Sequence, residues 1–86
     1  MIRHTALGAN AAQRTRRLHS LIRSGAIVLG GNARLKIYGT LHCKSGKRMK
    51  AGNRVFFASG AEALVAGYRP CGHCMKKEYR EWRNGR

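Results

Sequence analysis

Two cysteines separated by two residues, Cys71 and Cys74 in the stretch GYRPCGHC, are the residues in this sequence best spaced to do chemistry. A tight turn lets both sulfurs of such a pair reach one metal ion, with the intervening backbone amides pointing toward the thiolates. One further cysteine, Cys43, lies 28 residues before Cys71 in a basic loop, where a compact zinc domain draws its second half-site. Three cysteines are an odd number, so a disulfide framework cannot use them all; in a reducing compartment thiolate–metal chemistry is the better default. Zn2+ is therefore the expected cofactor. Three thiolates on zinc leave a cluster charge of about −1, which Lys44, Lys47, Arg48 and Arg69 can offset. The competing readings are three independent thiols and a redox pair, and the second wants a thioredoxin-like strand and helix for which the chain is too short.

A structural zinc site uses four protein ligands, and histidine is the expected fourth donor. His42 is nearest in sequence, although its side chain diverges from that of the adjacent Cys43. His4 is distant, but a folded-back N-terminus could deliver it. Both stay open. His73 sits inside the two-residue spacer and should point outward, while His19 shares an apolar helix face with Ile22 and reads as a core histidine.

The elements that must position these groups follow from periodicity and punctuation. Leu18, Leu21 and Ile22 recur at helical spacing between Ala11 and about Arg23, with Asn10 as N-cap and Gly25 as stop. Residues 27–29 and 35–38 flank a Gly-Gly-Asn stretch that reads as a hairpin turn, and RVFF at residues 54–57 as a third strand. Ser59 and Glu62 have capping-box spacing at the head of a short helix ended by Gly67. A last helix carries Met75, Tyr79 and Trp82 on one apolar stripe, read as core packing. The expected fold is α+β: one small zinc-stabilised domain over residues 1–86. A basic N-terminal helix occupies residues 1–25; the core, residues 26–86, has an antiparallel sheet of about three strands and two C-terminal helices.

Lys and Arg number 18 against three acidic residues, a formal net charge of +15. Such an excess calls for a polyanionic partner, and nucleic acid is the commonest because each neutralised phosphate releases a condensed counterion. Lys44, Lys47, Arg48, Lys50 and Arg54 are expected to form one phosphate-binding patch beside the metal, and Arg14, Arg16, Arg17 and Arg23 a second. Phosphate contacts carry little sequence information, so binding to DNA should be weakly specific. An acidic protein partner is the alternative. No segment approaches the roughly 20 apolar residues of a membrane span, and no signal-peptide-like run opens the chain, so a cytoplasmic location is expected. Aspartate is absent and the glutamates sit on caps or helices, leaving paired-carboxylate or two-metal hydrolysis without ligands.

The run NRVFFASGAEALVAGYRPCGHC, with the tyrosine and cysteine at Tyr38 and Cys43 before it, resembles the zinc-binding module at the N-terminus of the Ada DNA-repair proteins. The resemblance implies a small α/β zinc fold and assigns Cys43, Cys71 and Cys74 to the metal. In Ada proteins the first ligand position is a cysteine that accepts a methyl group from a methylated DNA phosphate; here Gly39 falls there, and glycine can neither bind zinc nor take a methyl group. A shifted alignment would place Cys43 at the acceptor position, so methyl transfer to Cys43 is the minor functional reading beside a zinc-held nucleic-acid-binding module.

Overall fold

The computed structural model describes residues 1–43 and 49–85. Three helices and a five-stranded sheet make an α+β fold. In chain order these are β1 (Ile2–Arg3), a 3-10 turn (His4–Leu7), α1 (Ala11–Arg23), β2 (Leu29–Asn32), β3 (Ile37–Thr40), a second 3-10 turn (Ala51–Asn53), β4 (Arg54–Phe57), α2 (Gly60–Val65), β5 (Arg69–Pro70) and α3 (Lys76–Asn84). The sheet order is β1-β4-β2-β3-β5.

Helix boundaries follow the capping chemistry. Asn10 Oδ1 accepts the Gln13 N–H at 2.9 Å, and α1 ends at Ser24 before Gly25 takes φ +80°. At α2, Ser59 Oγ accepts the Glu62 N–H, while the Glu62 carboxylate reaches back to the Ala58 N–H and also holds the N-terminal amine. Gly67, at φ +89°, ends that helix and lets the Tyr68 N–H bond the Ala63 carbonyl.

The sheet corrects two expectations. It has five strands rather than about three, and β5 pairs with β3 in parallel (Ile37↔Arg69, Tyr38↔Pro70). β1 and β5 are two residues each, too short to show a period, and their distant partners alone define them. Pro70 is tolerated because β5 lies at a sheet edge. Gly30, Gly31 and Asn32 belong to β2, not to the turn, which falls on residues 33–36. Asn32 Oδ1 caps it by accepting the Arg34 and Leu35 N–H groups, and Lys36 supplies the positive φ of 58°. A Cβ on Gly31 would lie 3.0 Å from the Phe57 ring and 3.1 Å from the Ile37 carbonyl oxygen, so glycine here makes room for an aromatic ring.

Tyr38, Val55, Phe57, Ala63 and Tyr68 form the core between the sheet and α2, joined by an edge-on Phe57–Tyr68 contact at 4.9 Å. Met75 packs against it, whereas Tyr79 and Trp82 stack on each other at 5.9 Å and stay only partly buried. The pleat turns Gly30, Gly39 and Phe56 to the opposite side, where α1 contributes Leu18 and Ile22 to the wall of an open cavity rather than a sealed core. No residue of α1 is fully buried, and His19, expected in the core, is exposed.

Candidate metal centre

The register of β3 builds the site. The Cys43 N–H donates to the Thr40 carbonyl at 3.3 Å, and the Cys71 N–H to the Tyr38 carbonyl at 2.7 Å, so both chain segments are tied to one strand. The turn after Pro70 closes with the Met75 N–H on the Cys71 carbonyl, which swings Cys74 back over β3. The Sγ atoms of Cys43, Cys71 and Cys74 consequently lie within 4.8 Å of one another. Cys43 is buried, at 9% exposure, and the other two are half-buried.

Amide donors already face two of the sulfurs. The Thr40 N–H points at Cys74 Sγ and the His73 N–H at Cys71 Sγ, each at 3.4 Å. Such donors favour thiolate, whereas burial pushes the metal-free Cys74 thiol above its ordinary value despite them. A divalent ion resolves that conflict by holding sulfur deprotonated. Three sulfurs each about 2.3 Å from a tetrahedral zinc ion lie about 3.8 Å apart, a spacing compatible with the 4.8 Å that bounds this cluster.

Gly39 marks the fourth side of the cluster. A Cβ built there would lie 2.6 Å from Cys74 Sγ and 3.2 Å from Cys71 Cβ, so this backbone position faces the sulfurs directly. Neither expected histidine shares the sulfur group. His4 follows β1 at the other edge of the sheet, its ring 5.8 Å from Phe56, with β4 and β2 between β1 and β3. His42 is exposed beside Cys43 on the rim of the cavity.

Of the two expected basic patches, Arg54 and Arg14 both lie near His4. Lys44, Lys47 and Arg48 lie outside the described residues. Lys50 is exposed ahead of the second 3-10 turn, and Arg54 is half-buried at the start of β4, where it borders the cavity. On α1, Arg16, Arg17 and Arg23 are exposed, while Arg14 Nε donates to the Gly8 carbonyl at 3.0 Å. Absent from the expected patches are the cations of the last helix: α3 begins two residues after Cys74 and exposes Lys76, Lys77, Arg80 and Arg83. Lys76, Arg80 and Arg83 share a shallow groove with Tyr79 and Gly72, and Arg69 lies 5.3 Å over the Tyr79 ring. The signal was legible as spacing, because 76, 80 and 83 repeat the helical period of the aromatic stripe one residue out of phase.

Neither the curated proteins nor the solved structures returned a match to this chain. Residues 24–77 match the family described as the metal binding domain of Ada. That span runs from the end of α1 into α3 and contains all three clustered cysteines. With three cysteine sulfurs gathered beside β3 inside the matched region, the chain belongs to the family of Ada metal-binding domains.

Proposed function

We propose that the protein is a zinc-held module that binds the phosphate backbone of nucleic acid, with DNA the expected partner. Zinc suits a donor set of three cysteine sulfurs in a small domain, because it tolerates tetrahedral thiolate ligation and does no redox chemistry of its own. The observation that carries the binding reading is the row of exposed cations on α3, a helix whose first turn is anchored by Met75 and the Cys71–Cys74 loop. Three carboxylates cannot balance 18 cations. Phosphates seated along Lys76, Arg80 and Arg83, with the Arg-rich face of α1 adding contacts, would release counterions on binding. Tyr79 and Trp82 beside that row are suited to sugar or exposed-base contacts.

The test is fluorescence anisotropy with a labelled duplex of arbitrary sequence at several salt concentrations. Binding should fall linearly in log–log form with a slope of about −0.9 per phosphate neutralised, and R80Q/R83Q should reduce that slope by about two contacts. Absence of binding at low salt and micromolar protein would refute the reading. Methyl transfer to Cys43 is the weaker alternative, since burial of that residue works against its reaching a DNA phosphotriester. Intact-mass measurement after incubation with methylated DNA separates the two.

A further inference from the structure

On the face of the sheet opposite the core lies a cavity of about 410 Å3. Its volume falls in the range of roughly 300–1,000 Å3 that small-molecule sites occupy. Leu18 and Ile22 of α1 form one wall, Ile37, Leu41 and Phe56 supply further apolar surface, and Cys43 and Cys71 stand at one end. It exists because two cross-strand partners, Gly30 on β2 and Gly39 on β3, present no side chains to it. A Cβ at Gly30 would touch Leu41 and Phe56 of the cavity wall at ordinary contact distances of 3.8 and 4.0 Å, without a clash. Gly39 borders the cavity and faces the sulfurs at once. Between Cys43 and Met49 the sequence KSGKR offers no cysteine, histidine or carboxylate to complete the donor set.

We infer that this cavity seats a small apolar thiol, whose sulfur completes the donor set at the corner Gly39 leaves without a side chain. The inference rests on the zinc reading above. Its ligand class follows from the surroundings: a centre with three thiolates is soft and prefers a soft fourth donor, and an apolar wall stabilises an alkyl or aryl body while penalising a carboxylate or phosphate left half-solvated. On binding, the thiol proton passes to solvent and the sulfur lone pair to the metal; no oxidation occurs. Arg54, at the cavity edge, suits the added negative charge.

The test uses the full chain loaded with Co2+, whose visible absorption reports the number and type of ligands and whose charge-transfer bands first establish that the three sulfurs hold metal. Benzyl mercaptan is then titrated in, with 2-mercaptoethanol as a polar thiol of similar donor strength. The expected result is a saturable change in the cobalt bands, with benzyl mercaptan binding at least tenfold tighter. Gly30→Leu, which fills the cavity from a strand position that does not touch the sulfurs, should leave the thiol-free spectrum unchanged and weaken benzyl mercaptan at least tenfold. His42→Ala should leave the thiol-free spectrum unchanged as well. Intact cobalt bands that ignore benzyl mercaptan at millimolar concentration overturn the inference and leave metal binding standing, whereas missing cobalt bands defeat the metal reading itself. Equal affinity for the two thiols, or a thiol-free spectrum altered by His42→Ala, also overturns it, because the cavity or the open corner would then have no part.

Discussion

Gly39→Ala isolates what a single carbon does to the metal centre. The new Cβ would sit 2.6 Å from Cys74 Sγ and 3.2 Å from Cys71 Cβ, against an optimal non-bonded separation of about 3.5–4.0 Å, so the sulfur must retreat by about 1 Å. In the metal-free protein Cys74 can do so by rotating at χ1. A bound ion forbids that escape, because ligand distances tolerate only about 0.2 Å. The overpacking cost of about 1–3 kcal/mol therefore falls on the metal-bound state, and at about 1.4 kcal/mol per tenfold it weakens metal binding by about 5- to 150-fold. Gly30→Ala, on the partner strand, is the control: its Cβ has no neighbour nearer than 3.8 Å, so metal affinity should stay within twofold. Competition of a chromophoric chelator for Zn2+ measures both. Gly39→Cys carries the same crowding carbon but adds a fourth sulfur, and should bind metal more tightly than Gly39→Ala. If Gly39→Ala holds zinc as well as the parent, or Gly30→Ala loses as much as Gly39→Ala, the assignment of residue 39 to the fourth corner fails.

Three further outcomes follow from other parts of the fold. A strong chelator should lower the thermal midpoint by more than about 10 °C by circular dichroism: a metal present at 100 times its Kd contributes about 2.7 kcal/mol, and each kcal/mol moves a domain of this size by about 4–8 °C. Tyr68→Phe should raise stability in urea by up to about 1 kcal/mol, because the Tyr68 hydroxyl is buried and makes no hydrogen bond among the described residues, while the ring contact with Phe57 survives the change. Burial first, and then the nearby Arg54 and Arg14 charges, hold the His4 imidazole below its ordinary value. Its contribution to stability is therefore complete above an unfolded pKa of about 6.5 and is lost as pH falls toward the lower folded value, so His4→Phe should flatten stability between pH 7 and 5 in urea titrations.

The parts of the fold visible in the sequence are those whose signal is local. Asn10 and Gly25 bracket α1, Ser59 and Glu62 open α2, and RVFF is β4 to the residue. What escaped depends on partners far along the chain. Ile2–Arg3 becomes a strand only against Val55 and Phe56, and Arg69–Pro70 only against Ile37 and Tyr38. The paired glycines at 30 and 31 misled because glycine has two uses. Its freedom of φ suggests a turn, but here Gly31 is needed for the space that Phe57 fills, and Asn32 with Lys36 makes the turn instead. For the site, three cysteines could be gathered from type and spacing alone. The fourth side could not, since Gly39 has no side chain to give a spacing; only the family resemblance pointed to it.

Position 39 links the sulfur cluster to the cavity. By the family resemblance a methyl-accepting cysteine would stand there, and the backbone does aim the position at Cys74 Sγ. Replacing a thiol with hydrogen has two physical effects at once. It removes a ligand and a nucleophile from the cluster, and with Gly30 it strips two adjacent side chains from one sheet face, opening the cavity that runs from α1 to Cys43 and Cys71. A scaffold shared with a family does not by itself carry the family's chemistry, which lives in the residues of the site. What the structure retains is three clustered cysteine sulfurs beside an apolar cavity, on a domain whose outer helices expose cations. If nucleic acid and thiol both bind, they do so through different side chains: the exposed cations of α3 and α1 for one, the glycine-floored cavity with its apolar α1 wall for the other. R80Q/R83Q should then weaken DNA without changing the thiol titration, and Gly30→Leu should do the reverse.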